Sequence, residues 1–496
     1  MEDQDRIRKL FEGKTIFMSG GTGFLGKVLI EKLIRCCNVK KIYILIRRKK
    51  GMSVTERLAF IFKNPLFDLL KSTQPDFASK CECVPGDVTL KELAMSEFYT
   101  NKVINEADFI FNMAATTRFD DTITYAVSMN TRGTEYMLHL AKQCKKLKLF
   151  IHCSTAYAFP HETVLEEKRY APPVNPHDVL DSLKWIKEDP TGRLTQELLG
   201  DSPNTYTFSK ALAEELVNEQ VGKMPVIIVR PAIVIPIFDS PLKGWCNNLQ
   251  GPMGLFVGAG KGVIRSMYMN PNSYANFIPA DSAINIMLFG SLAYLSGNNN
   301  KQYIYNAVSP REDFHKTWEE IINEGRKVIE EDIPFNMILW YPGGTMTQNK
   351  LLHTIYFYLF QMIPAIFVDM LLFILGYPPV LYKVQRRIQN AGAMFEFYTT
   401  QNWDFKDSAA ILRSGMSELE KKRYKMDPEG FSVRTYLRDC MLCVRRVNLK
   451  ESDDMLPRAK RTMRIMYVVD KLCKTWFFLG MFYYIYKLAI LPMYME

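Results

Sequence analysis

Through the first 235 residues, short apolar runs rich in β-branched and aromatic residues alternate with longer stretches whose apolar positions recur at helical spacing. The runs 15–19, 41–46, 81–84, 109–113, 149–153 and 226–230 are the expected strands. Strands alternating with helices build a parallel sheet covered on both faces, and six of them suit a doubly wound, Rossmann-type α/β fold. Between Pro160 and Pro203 the pattern gives way to Pro, Asp and Glu, which predicts an inserted surface segment folding over the active site. From Pro236 to about Trp340 a mixed region includes GWCNNLQGPMGLFVGAGKGV, whose repeated Gly and Pro are expected to forbid long helices and to leave loops that shape a substrate pocket. The run 351–376 is strongly apolar, but Gln361, Pro364 and Asp369 would be costly at mid-bilayer, so a buried or membrane-lying helical pair is expected there rather than a span. The run 476–494 has about the 20 residues a bilayer requires, interrupted by Lys487. Arg458, Lys460, Arg461, Arg464, Lys471 and Lys474 precede it as the basic flank of an anchor on the cytosolic side.

These signals divide the chain into four parts. A catalytic domain covers 1–290, with pocket loops at 160–203 and 236–290, and the rest of the substrate region covers 291–345. A helical, membrane-associated domain covers 346–457, and the basic flank and anchor cover 458–496.

Composition narrows the class of partner. With 48% hydrophobic and 23% charged residues the chain is a folded protein, too long at 496 residues for one core. The net charge of +10 gathers near the C-terminus rather than interleaving with aromatics, a bias toward membrane surfaces and not toward nucleic acid. Ten cysteines are scattered, and the close pairs (Cys36 with Cys37, Cys81 with Cys83, Cys440 with Cys443) lack partners at zinc spacing, so reduced thiols and no metal are expected. The opening MEDQDRIRKLFEGK has no apolar core of a secretory signal, so the catalytic part is expected to face the cytosol. Nothing in the pattern specifies an oligomeric state.

The chemistry concentrates at the ends of the expected strands. FMSGGTGFLGK follows the first strand and opens a helix, so Gly20, Gly23 and Gly26 stand where backbone amides approach a pyrophosphate. The second strand ends in ILIRRKK, where NAD-specific domains carry an acid, and Arg47 and Arg48 would instead meet the 2′-phosphate of NADPH. Asp87 in PGDV suits a place beside the adenine, and Ala114 with Ala115 a place beside the ribose. Tyr206 and Lys210 lie one helical turn apart at the start of the helix before the last strand. The same spacing recurs in Tyr467 with Lys471 and Tyr483 with Lys487, but both lie in the tail, so Tyr206 and Lys210 are the expected catalytic pair. A hydroxyl at the end of the fifth strand, Ser154 or else Thr155, would complete the set, and His152 reads as a strand-end histidine.

The blocks GGTGFLGK, NMAATTRF, STAYA, NTYTFSKALAE, IVRPAIV, GWCNNLQGPMGLFVGAGKG and EFYTTQNWDF, in this order, resemble those of the animal fatty acyl-coenzyme A reductases over nearly the full length. The resemblance implies an extended short-chain dehydrogenase fold with a helical C-terminal domain and a membrane anchor. It implies reduction of a long-chain acyl-CoA through an aldehyde to a primary alcohol at the expense of two NADPH. Cofactor contacts would extend to Thr22, Phe24, Leu25, Val88, Pro231 and Ile233. Tyr206 would protonate the developing alkoxide, Lys210 would lower its pKa and hold the nicotinamide ribose, and Ser154 would polarise the carbonyl. Endoplasmic reticulum, peroxisome and lipid droplet are all compatible locations. A sterol or sugar-nucleotide dehydrogenase would share the cofactor half but not the large C-terminal region. A non-catalytic acyl-lipid-binding protein would have no need of intact glycines, Tyr206 and Lys210.

Overall fold

Every residue of the strands Thr15–Ser19 (β1) and Phe109–Asn112 (β4) is buried, which a strand achieves only when helices cover both faces of its sheet. In the computed structural model, which describes residues 4–49, 51–186, 192–249, 251–297, 302–309, 316–426 and 431–487, these two strands are neighbours at the centre of a seven-stranded sheet. Lys41–Ile46 (β2) and Cys81–Pro85 (β3) extend it to one side, and Leu149–Cys153 (β5), Val226–Pro231 (β6) and Ile304–Ala307 (β7) to the other. The order is β7-β6-β5-β4-β1-β2-β3 with every pair parallel. Strand order therefore reverses between β1 and β4, and the crevice at their carboxyl ends is where such sheets bind ligands. All six expected strands are present, with ends differing by at most one residue. The seventh, β7, lies beyond the first 235 residues, outside the stretch where strands alternate with helices in the pattern.

Two helices set the site. Phe24–Cys37 (α1) follows β1 across the glycine turn, and Thr205–Asn218 (α2) precedes β6. Along α2 every residue is buried except Tyr206, which is half-buried, so this is a core helix with one opening.

Two compact units result. One comprises Met1–Asn247, Tyr274–His315 and Asn402–Phe431; the other Asn248–Ser273, Lys316–Gln401 and Ser432–Glu496. These boundaries differ from a serial division at 290, 345 and 457, because the chain returns to the first unit late. Asp404–Phe405 pairs in parallel with Val164–Leu165, and the segment beyond holds the N-terminus: Glu420 takes the Arg6 guanidinium at 2.6 Å, and Arg423 pairs with Asp5. The start of the 160–203 insertion is tied to the sheet as well. The Arg230 guanidinium on β6 donates to the carbonyls of Glu166 and Lys168, each at 3.0 Å.

The region 236–340 carries the 17-residue helix Ala280–Ser296 (α3), mostly buried, and, within the Gly- and Pro-rich block where loops were expected, the short helix Pro252–Gly260. Pro252 is tolerated because it occupies the first helical turn, where no amide partner is needed. The internal glycines follow from crowding: a Cβ on Gly254 would lie 2.1 Å from the Leu249 carbonyl oxygen, and one on Gly260 2.8 Å from the Ile329 side chain.

In the second unit, Lys350–Ile374 (α4) is long and apolar enough to cross a membrane, with 28% of its most apolar window buried. It turns back into Leu381–Thr400 (α5). The polar residues that interrupt α4 are absorbed by the unit itself. Gln361 accepts the Arg265 amide at 3.1 Å, and Asp369 accepts the amides of Val380, Leu381 and Tyr382 at 2.8–2.9 Å. The helix Leu456–Ile485 (α6) buries only Ala459, Met463 and Asp470. From Trp476 to Tyr486 its large apolar side chains are exposed, and residues 488–494 of the expected anchor lie outside the described residues.

Asp369 caps the first turn of α5 with three hydrogen bonds, so Asp369→Ala is expected to cost about 1–3 kcal/mol, seen as a lower melting temperature. Phe367→Ala, two residues away on the exposed side, should leave that temperature within the error of wild type.

Candidate active site

The turn after β1 is built by two steric exclusions. Gly20 has φ +74°, and a Cβ there would lie 2.5 Å from the Met113 carbonyl carbon; a Cβ on Gly26 would lie 2.2 Å from the Gly20 oxygen. Gly23 closes the turn by donating its amide to that oxygen at 2.9 Å and serves as N-cap of α1, with no side chain bonded to the helix's first amides. A helix start whose amides no side chain caps, beside a backbone that excludes side chains, fits a nucleotide pyrophosphate. Thr22, Phe24 and Leu25, half-buried, form the rim. The Ser19 hydroxyl fixes the turn against β4: it donates to Asn112 Oδ1 at 2.9 Å and accepts the amides of Met113 and Ala114 at 3.1 Å. Ala114 and Ala115 thus stand at the strand end beside the glycine turn, both half-buried.

Arg47 and Arg48 are exposed at the end of β2. Arg47 Nε lies 3.8 Å from Asp87 Oδ2, so the two residues expected on opposite ends of an adenosine meet at adjacent strand ends. A third cation here was not anticipated. Arg57, in the helix Val54–Phe62 that Ser53 caps, donates to the Arg47 carbonyl oxygen, and burial followed by the Arg47 charge holds its pKa below the ordinary value. Val88 is buried against Gly133, whose missing Cβ would come within 3.2 Å of it.

Lys27 was also missed. One turn into α1, it donates to Asn247 Oδ1 at 2.6 Å, and burial lowers its pKa. Phe24 packs edge-on against the buried Trp245 at 5.4 Å, so the GWCNN block braces the helix that follows the glycine turn.

At the other side of the crevice, Lys210 reaches from α2 to the end of β5, where its ammonium donates to the Cys153 carbonyl at 2.5 Å. Burial lowers its pKa from 10.5, opposed by the nearby Cys153 and Glu214. Tyr206, one turn earlier, stacks on Phe119 at 5.8 Å with 26° between the rings, which places it beside the loop that leaves β4. Asn130 joins that loop to α2: it accepts the Thr116 amide at 2.9 Å and donates to Ser209 Oγ at 2.9 Å. It sits in a π-helical turn, Val127–Arg132, a distortion that often marks working parts of proteins and that sequence periodicity does not register.

The two candidate hydroxyls differ in what they bind. Ser154 Oγ donates to Glu214 Oε2 at 2.8 Å, and Glu214 is in turn ion-paired with Arg230, with all three side chains buried. Thr155 Oγ1 makes only a 3.4 Å contact to the Pro231 oxygen and accepts the Tyr157 amide at 3.3 Å. Pro231 ends β6 beside it, and Ile233 continues into a short strand paired with Phe277–Pro279. His152 is a buried strand residue: its Nδ1 lies 3.1 Å from Asn112 Nδ2, and burial, helped by Lys210, pushes its pKa well below 6.5.

Comparison with known proteins agrees with this fold. Two family models described as male sterility protein match, the NAD-binding one over residues 18–287 and the sterile one over 360–451. Fatty acyl-CoA reductase 1 of Xenopus laevis is 35% identical over 460 residues, 92% of this chain and 88% of that protein. The Homo sapiens form is 34% identical over the same shares, and fatty acyl-CoA reductase 2 of Bos taurus is 31% identical over 95% and 92%. In fold, the chain is similar to the reductase domain of a nonribosomal peptide synthetase from Mycobacterium tuberculosis, with TM-score 0.57, 16% identity, and coverage of 88% of this chain and 92% of that one. It is also similar to the terminal R domain of the myxalamid pathway, with TM-score 0.55, 19% identity, and coverage of 88% and 91%. Relatives of this identity and extent favour an acyl reductase over a sterol or sugar-nucleotide dehydrogenase or a non-catalytic lipid binder. The chain belongs to the fatty acyl-CoA reductase family, as a nicotinamide-dependent reductase on a doubly wound sheet.

Proposed function

We propose that the chain reduces a long-chain fatty acyl-CoA to the primary alcohol through an aldehyde, with NADPH as the cofactor of both steps. The observation that carries this reading is that α2 is buried throughout except at Tyr206, beside a buried Lys210 that touches the end of β5. When bound, the nicotinamide supplies the hydride; the residues of the chain bind, orient and move the proton. Gly20, Gly23 and Gly26 would accommodate the pyrophosphate, Arg47 and Arg48 with Arg57 the 2′-phosphate, and Asp87, Val88, Ala114, Ala115, Pro231 and Ile233 the remainder. Tyr206 would donate the proton to the substrate oxygen. Lys210 would favour the phenolate by its charge and hold the ribose. Of the two hydroxyls, we assign the carbonyl to Thr155 and not to Ser154, since the Ser154 proton is committed to a buried carboxylate while Thr155 is held only by long contacts.

The exposed aromatic run from Trp476, preceded by Arg458, Lys460, Arg461, Arg464, Lys471 and Lys474, supports a membrane anchor that leaves the catalytic unit on the cytosolic side, at endoplasmic reticulum, peroxisome or lipid droplet. A long-chain substrate partitions into the same membranes.

Tyr206→Phe should lose roughly 100-fold or more of the alcohol formed from palmitoyl-CoA and NADPH while still binding NADPH. Tyr467→Phe and Tyr483→Phe should stay active. Turnover of the first variant above a tenth of wild type rules out Tyr206 as the proton donor. Thr155→Ala should lower turnover with an unchanged melting temperature, whereas Ser154→Ala should lower the melting temperature more than the turnover; the reverse result returns the role to Ser154.

Cofactor choice is separable. Arg47→Ala combined with Arg48→Ala should raise the Michaelis constant for NADPH far more than that for NADH, and equal losses would remove both arginines from the 2′-phosphate site.

Lys210 serves only while protonated, and burial lowers its pKa. Activity should therefore fall as pH rises through a value below the ordinary lysine pKa of 10.5, visible as an alkaline limb of kcat/KM.

A further inference from the structure

Helix α4 presents two unlike faces. His353, Phe357, Gln361, Ala365 and Asp369 recur at every fourth position and form its inner stripe. His353 is partly buried and the other four are buried. Each polar member of the stripe is bonded within its own unit: His353 Nδ1 to Ser266 Oγ at 2.8 Å, Gln361 to the Arg265 amide, and Asp369 to the amides that open α5. Beyond Lys350 and Thr354 in its first turns, the remaining circumference is apolar and largely open to solvent, with Phe367 60%, Phe373 72% and Ile374 75% exposed. Such a continuous apolar face on one helix calls for an apolar partner.

We propose that α4, with the first turns of α5, is a monotopic docking face that sinks into one leaflet of an anionic bilayer without crossing it. Three observations specify this occupant. Lys383, Arg386 and Arg387 are exposed on one side of α5, opposite the buried Gln385, and form a cationic stripe beside the apolar face. Tyr358, Tyr377 and Tyr382 are exposed along the same hairpin, the residue type that collects at headgroup depth. Finally, α4 is fastened through His353, Gln361 and Asp369 to polar groups of its unit, so it cannot stand upright in hydrocarbon without carrying Ser266, Arg265 and the start of α5 with it. At about 1.5 Å per residue its 25 residues exceed the thickness of one leaflet, which a helix lying in the interface accommodates. A twofold pairing of two chains through this face would instead bring like-charged stripes into one interface. The inference is independent of the catalytic reading and of the tail: it concerns where a second part of the molecule meets the membrane.

The test uses the full chain bearing Phe367→Trp, whose added fluorescence is compared with wild type on vesicles of phosphatidylcholine alone or with phosphatidylserine. The expected result is an added emission at shorter wavelength, quenched by lipids brominated near the head of the acyl chain more than by lipids brominated near its end, and more on anionic vesicles. Arg386→Glu with Arg387→Glu should remove the anionic preference. Strongest quenching by bromines at the chain end means a crossing helix and overturns the proposal. Quenching by aqueous iodide and by neither lipid means that the face is not in the bilayer, and also overturns it. If iodide is excluded too, and Phe367→Asp converts dimer to monomer in sedimentation, the face belongs to a second copy and the proposal is equally overturned.

Discussion

The catalytic unit hangs on one buried charge pair. Glu214 on α2 and Arg230 on β6 are both fully buried, and each has further duties: Glu214 accepts the Ser154 hydroxyl at the end of β5, and Arg230 holds the carbonyls of Glu166 and Lys168. Helix, two strands and insertion therefore share a node that is satisfied only when all are in place. Removing one partner of such a pair strands the other charge in a dry interior, which typically costs about 3–5 kcal/mol. The pair also sits one turn beyond Lys210 on α2, so the group that fixes the frame is the one whose charge helps keep that lysine protonated.

Around this node the side chains divide by how they are bonded. Side chains that fix the frame, such as Ser19, Asn112, Asn130 and Ser154, spend their hydrogen bonds inside the protein. Those proposed to meet ligand, such as Arg47, Tyr206 and Thr155, are exposed, half-buried or held by long contacts. The tyrosine proposed to release and regain a proton gains from this contrast, because a buried helix sets its position while its ring lies beside Phe119.

The sheet and glycine turn were legible because their causes are local: apolar runs at strand length, and glycines where a Cβ would strike backbone. The order of Tyr206 and Lys210 on one helix face was legible for the same reason. Ser154 and Thr155 could not be told apart in this way, since what separates them is Glu214, sixty residues away in sequence and adjacent only after folding. Arg57 and Lys27 were hidden among many surface cations, and only burial distinguishes them. The short helix Pro252–Gly260 stands where loops were expected because Gly and Pro break helices in isolation, whereas here Pro252 starts one and close neighbours demand the glycines. For α4 the pattern was read correctly as costly for a span, but the partners that absorb Gln361 and Asp369 come from other segments.

The return of Asn402–Phe431 to the first unit has a consequence in time. Arg6 and its partner Glu420 are 414 residues apart. At a synthesis rate of about 5–20 residues per second, the N-terminal segment waits roughly 20–80 s on the ribosome before the residue that fastens it exists. During that interval Val164–Leu165 likewise lacks its pairing strand, so the catalytic unit spends most of its synthesis with one edge and one end unclosed.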